Sequence, residues 1–184
     1  VSQLRYLSRY GLNKMALSFT VAQQHERMHK WDRRFLSLCR YISTWSKDPS
    51  TKCGAVIVRD RNRIVSAGYN GYPAGVPDDH TLQTREEKYP RIIHAEINAI
   101  LMAKQDLKGY TIYVYPLLPC AQCAAAIIQS GIARVVSVIP KDPETRERWK
   151  ISNDVALTMF HSSLLEVSII EHDHVFGTED SNVG

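Results

Sequence analysis

Residues 94–139 read HAEINAILMAKQDLKGYTIYVYPLLPCAQCAAAIIQSGIARVVSVI, and the order of elements in them decides the fold. Residues 94–104 are helical by composition, with Ile97, Ile100 and Leu101 expected on one apolar face. Residues 110–115 predict a strand. Residues 120–129 predict an Ala- and Ile-rich helix, and Gly131 just past its end is a stop signal. Residues 133–139 predict another strand. A further helix at 152–160 and a last strand at 165–170 continue the alternation. Helices that alternate with strands pack on both faces of a sheet, so a three-layer α/β domain is expected.

Working back toward the N-terminus, Trp31, Phe35, Leu38, Cys39, Ile42 and Trp45 recur at steps of three and four, the period of an amphipathic helix. Ser46-Lys47-Asp48-Pro49 ends it, because proline disfavours helix in the residue before it. Residues 55–58 and 64–69 read as two strands of a hairpin around a polar turn. Gly68-Tyr69-Asn70-Gly71, then Pro73, Gly75 and Pro77, mark a loop. The charged stretch 78–91 reads equally as a flap over a site or as a solvated connection. Residues 1–25 lack sustained periodicity and are expected to be a flexible extension. The expected domain spans 26–172, with 173–184 as a tail.

Bulk properties exclude several classes. The chain has 184 residues, enough for one domain with a sizeable core. No run of about 18 apolar residues exists, so no membrane span is expected. No secretory signal is recognisable, which points to a cytoplasmic protein. The formal charge is +4, but Lys and Arg are dispersed rather than clustered, so no stable nucleic-acid partner is expected. In that setting the four cysteines do not suggest a disulfide framework. Cys39 and Cys53 read as buried structural thiols.

Cys120 and Cys123 need another explanation. Each of two segments, His94-Ala95-Glu96 and Pro119-Cys120-Ala121-Gln122-Cys123, stands where a helix begins after a loop. Free N–H groups and partial positive charge at a helix start favour thiolates. Cysteines at i and i+3 share one side of a helical turn. With one imidazole they make three protein ligands, the set of a catalytic Zn²⁺ site that keeps a position open. Glu96 supplies the carboxylate that proton transfer requires. A lone C-x-x-C, or a lone histidine at a helix start, is more often structural than metal-binding. The combination H-x-E with P-C-x-x-C is much more specific.

On these segments the sequence resembles the cytidine deaminase-like superfamily, and within it the deoxycytidylate (dCMP) deaminases. The likeness runs from about Trp31 to Ile170 and includes Ser46-Lys47-Asp48-Pro49, Gly54-Ala55, Gly68-Tyr69-Asn70-Gly71 and Ile127-Ile128-Gln129-Ser130-Gly131-Ile132. The resemblance implies a three-layer α/β/α domain with a mixed five-stranded sheet and one Zn²⁺ ion. It implies His94, Cys120 and Cys123 as ligands and Glu96 as proton shuttle. Asn70, Ala95, Ser46 and Lys47 are implied as substrate-binding residues, the last two near a nucleotide phosphate. The expected reaction is dCMP to dUMP and ammonia. A deaminase of another amino-substituted base and a non-catalytic zinc-containing nucleotide-binding or assembly domain are the alternatives. A homo-oligomer is implied as well. Relatives often carry cysteine where this chain has Asp78-Asp79-His80, so a second zinc is not expected. Tyr69 reads as an aromatic packed on the core, and Asn98 as either a site support or an amide with a structural partner. Pro140-Lys141-Asp142-Pro143 replaces a tyrosine-rich segment, which bears on substrate rather than on reaction.

Overall fold

The computed structural model describes residues 30–60, 62–77 and 85–177. The expectations for 1–25 and for Asp78-Asp79-His80 therefore lie outside the described residues. Helix α1 (Lys30–Ser43) buries Phe35, Cys39 and Ile42 of the expected period and also Leu36, whereas Trp31 and Leu38 are only partly covered and Trp45 lies past the helix end, 51% exposed. Strands β1 (Gly54–Arg59) and β2 (Arg63–Tyr69) form the expected antiparallel hairpin. A short helix α2 (Arg85–Lys88) and a 3₁₀ turn (Tyr89–Arg91) lie in the charged stretch. Then follow α3 (Ala95–Ala103), β3 (Thr111–Tyr115), α4 (Ala121–Gln129), β4 (Arg134–Ile139), α5 (Pro143–Ser162), β5 (Glu166–Glu171) and α6 (His172–Phe176).

The five strands make one mixed sheet in the order β2-β1-β3-β4-β5. β1 runs antiparallel to both its neighbours, while β3, β4 and β5 are mutually parallel. Side chains alternate between the faces. On one face Ala55, Ile57, Ile112, Val114 and Val135 form a core with Ala95 and Ala99 of α3, Ala124 and Ile127 of α4, and Ala156 and Phe160 of α5. On the other face Tyr113 meets Phe35 of α1 at a centroid distance of 5.0 Å, and Tyr115 meets Phe176 of α6 at 5.5 Å. This is the α/β/α sandwich. Each fully buried Ile or Phe contributes about 1.5–3 kcal/mol. The α1 face also carries a buried polar network. Arg134 donates to both oxygens of Asp32 at 2.9 and 3.0 Å, and the Tyr113 hydroxyl donates to Asp32 at 2.8 Å.

Three expectations are corrected. The inner face of α3 is Ala95 and Ala99, whereas Leu101 is 55% exposed and Ile97 and Ile100 are only partly covered. The cause is Gly68: a Cβ there would lie 2.4 Å from the Ala95 carbonyl oxygen, so α3 sits nearly on the β2 backbone. Helix α5 begins at Pro143, not at 152. Asp142 caps it by accepting from the N–H groups of Glu144 and Thr145, and proline occupies the first turn. The expected tail opens with α6, whose Val175 is buried.

Candidate metal centre and active-site cleft

His94 and Cys120 each occupy the residue before a helix, His94 at α3 and Cys120 at α4, and both have extended backbones. Two adjacent helix starts thus aim side chains at one point. His94 Nδ1 lies 3.5 Å from Cys120 Sγ and 3.3 Å from Cys123 Sγ. The three potential ligand atoms all lie within 4.8 Å of one another, and both cysteines are buried. Among the described residues this is the group that could hold a metal ion. The Ala121 N–H, between the two cysteines, donates to Ser152 Oγ of α5 at 3.0 Å.

The charges within this group are strongly coupled. The hydrogen bond from Cys123 lowers the Cys120 pKa to about 4, with His94 assisting against the cost of burial. The Cys123 thiol is pushed up by the hydrogen bond to Cys120, by burial and by Glu96. The bond to Cys120 also raises His94. Glu96 is 5% exposed, and burial lifts its carboxyl above the ordinary value although His94 opposes the shift. A buried carboxyl with a raised pKa can both take and return a proton near neutrality.

These residues stand in a cleft of about 780 Å³ whose lining includes His94, Glu96 and Cys120. Lys47 lines it, as expected of a substrate contact. Asn70 lines it too, but its amide is already engaged. Its Oδ1 accepts from the Cys53 N–H at 2.7 Å, and its Nδ2 donates to the Thr51 carbonyl at 2.9 Å and to Asp48 at 3.3 Å. Asn70 therefore staples the 46–53 segment to the end of β2. Ser46 is buried, and its hydroxyl donates to the Asn70 carbonyl at 2.8 Å. It does not line the cleft, so direct contact gives way to a positioning role. The Ala95 methyl is fully buried against the sheet, which leaves its backbone N–H in the first turn of α3 as what it can offer.

Tyr69 does not pack on the core. It is 41% exposed, lines the cleft and meets Trp45 edge-on at 6.1 Å. Asn98 donates to the Tyr69 carbonyl at 2.8 Å, a structural partner that ties α3 to β2. Cys39 is the expected core thiol, its Sγ donating to the Tyr113 carbonyl, whereas Cys53 lines the cleft. Three lining residues escaped sequence reasoning. Lys88 Nζ meets Asp48 Oδ1 at 2.7 Å from 40 residues away, and no local pattern announces such a pair. Arg148 and Trp149 lie on the part of α5 that the sequence reading missed. The cap at Asp142 followed by Pro143 was the signal that could have found them.

A buried carboxylate beside a His/Cys/Cys group, lining a cleft in an α/β/α sandwich, is the donor set and proton-transfer group that a metal-assisted hydrolase would use. Comparison with known proteins narrows the class. The model of the cytidine and deoxycytidylate deaminase zinc-binding region matches residues 29–139, more than half of the chain. A deaminase of Aliivibrio fischeri, described as uncharacterized and encoded in the luxG 3′ region, is 46% identical over 148 residues, 78% of this chain and 96% of that one. The deoxycytidylate deaminase of Mus musculus is 40% identical over 125 residues, 64% of this chain and 70% of its own. The fold resembles that of a cyanophage S-TIM5 dCMP deaminase solved with dCMP and dUMP. The TM-score is 0.62 at 21% identity, covering 78% of this chain and 99% of that one. The chain belongs to the cytidine and deoxycytidylate deaminase family and is a hydrolytic deaminase.

Proposed function

We propose that this chain is a zinc-dependent hydrolytic deaminase of a cytosine nucleotide, most simply converting dCMP and water to dUMP and ammonia. The observation that carries the reading is the burial of Glu96 beside the His94, Cys120 and Cys123 group, in a cleft that His94, Glu96 and Cys120 line. Relatives named deoxycytidylate deaminase, 40% identical in mouse and 39% in human, support the substrate.

The donor chemistry fits zinc. Two sulfurs and one imidazole nitrogen converge within 4.8 Å, in a buried site whose three side chains leave a position for water or substrate. Bound there, Zn²⁺ would supply a water acidic enough to lose its proton near neutral pH. Glu96 would take a proton from the attacking water and deliver it to ring N3 as the water oxygen bonds to C4, then carry the remaining hydroxyl proton to the amine, so that the C4–N bond breaks, ammonia leaves and C4 keeps the oxygen as the uracil carbonyl. Burial keeps the Glu96 carboxyl basic enough for this exchange and shields it from bulk water. In this reading the Ala95 N–H at the start of α3 would donate to a ring oxygen, and Lys47, which lines the cleft, would meet the anionic end of the nucleotide. Asn70 and Ser46 hold the 46–53 segment in shape.

The test is ammonia release from a panel of cytosine, adenine and guanine nucleotides by the zinc-loaded protein. Turnover of dCMP above the other members is the expected result. Turnover only of a non-cytosine member would move the assignment to another base. Tight zinc binding without turnover of any member would favour the non-catalytic alternative, which a buried proton-transfer carboxylate already weighs against.

A further inference from the structure

Arg148 and Trp149, adjacent on α5, line the cleft. The Trp149 ring stacks on Tyr89 of the 3₁₀ turn, with centroids 6.4 Å apart and planes inclined by 30°. Tyr89 lines the cleft as well, so two elements distant in sequence build one aromatic wall. Yet the indole Nε1 of Trp149 is screened from solvent and has no hydrogen-bond partner among the described residues. A buried donor left open costs about 1–3 kcal/mol. One turn on, Asn153 Oδ1 is buried and unpartnered too. The same helix stands close to the chemistry. Ser152 accepts the Ala121 N–H beside Cys120, and Trp149 lies only about 4.5 Å from Ser152 along the helix axis.

We infer that Trp149 is a specificity-determining contact of this cleft: its ring is a wall for the nucleotide, and its indole N–H donates to a nucleotide oxygen beside the Arg148 guanidinium. This rests on the cytosine-nucleotide reading and adds to it the element that recognises the substrate. Because Nε1 is screened in the free protein, the contact forms as the bound nucleotide displaces the atoms that screen it. The cost of the open donor is recovered only in the complex, which makes the interaction selective for a ligand with an acceptor at that point.

Trp149→Phe keeps an aromatic ring on the wall and deletes the donor together with part of the ring surface. With zinc-loaded protein and dCMP, KM is expected to rise about tenfold while kcat stays within roughly twofold, the signature of a lost binding hydrogen bond. The removed cost of the open donor offsets the packing lost with the larger ring, so the Tm is expected to hold. A KM within roughly twofold of wild type overturns the inference, as does a KM rise accompanied by lost zinc or a lowered Tm. If the variant does not fold, ¹⁵N-labelled wild type gives the answer. The Trp149 indole resonance, identified by eliminating those of Trp31→Phe and Trp45→Phe, should move downfield when dUMP is added; an unmoved resonance overturns the inference. Wild type that turns over no panel member removes the underlying reading and this inference with it. Wild-type turnover that Trp149→Phe leaves unchanged removes this inference alone.

Discussion

The Ser152 hydroxyl reaches the metal-binding group through one backbone amide, the Ala121 N–H that it accepts at 3.0 Å. That N–H has no partner within α4, so Ser152 fixes the first turn from which Cys120 and Cys123 point. Outer partners of this kind tune metal affinity by orienting the ligands. Ser152→Ala should weaken zinc binding about tenfold in competition with a chelator, and should lower stability by about 1 kcal/mol. Unchanged affinity would show that α4 is held by its core contacts alone. At this scale the sequence was informative where residues stood at helix starts. His94, Glu96, Cys120 and Cys123 could be singled out because each segment combines a chemical side chain with a local start signal. Asn70 was a harder case. Its type was legible, but its engagement with Cys53, Thr51 and Asp48 depends on how a distant loop folds back.

At the scale of elements, the approach of α3 to β2 brings Glu96 and the His94 end of the helix to the cleft. Gly68 permits that approach, because a Cβ would lie 2.4 Å from the Ala95 oxygen and 2.5 Å from the Ala99 nitrogen. Both are backbone atoms and cannot rotate away. Gly68→Ala should therefore lift α3 and cost about 3 kcal/mol, measured by urea unfolding; a midpoint equal to wild type would contradict this account. The same glycine explains why the apolar face of α3 was misread. Hydrophobicity pointed to Ile97, Ile100 and Leu101, but so close a packing admits only methyl groups, and Ala95 and Ala99 fill the interface. The sheet and its strand boundaries were legible because alternating helices and strands constrain one another. The early start of α5 was not, because its first turns are polar and exposed and carry no apolar period. The cap at Asp142 was the remaining clue.

At the scale of the whole molecule, the Asp48–Lys88 pair joins the loop after α1 to α2, and both residues line the cleft. Burial alone would push the Asp48 carboxyl up. The Lys88 ammonium and the N–H groups of Ser50 and Thr51 outweigh it and hold the pKa below 3.8. A depressed carboxyl contributes stability that is fully present above its unfolded value and is lost as pH falls through the folded value. Lys88→Met raises the folded value, so the acid-unfolding midpoint should move to higher pH. At neutral pH Asp48 keeps the N–H groups of Ser50 and Thr51 but loses its ion-pair partner, which should cost about 1–2 kcal/mol. An acid transition superimposable on wild type would contradict this. In the proposed reaction these parts serve one centre, in which His94, Cys120 and Cys123 would hold the metal and Glu96 would move the protons. The most direct test compares dUMP formation from dCMP by wild type and Glu96→Ala, each with bound zinc quantified. The account predicts equal zinc content and a kcat lower by about 10²–10⁴-fold in the variant. Undiminished turnover by zinc-replete Glu96→Ala would contradict it.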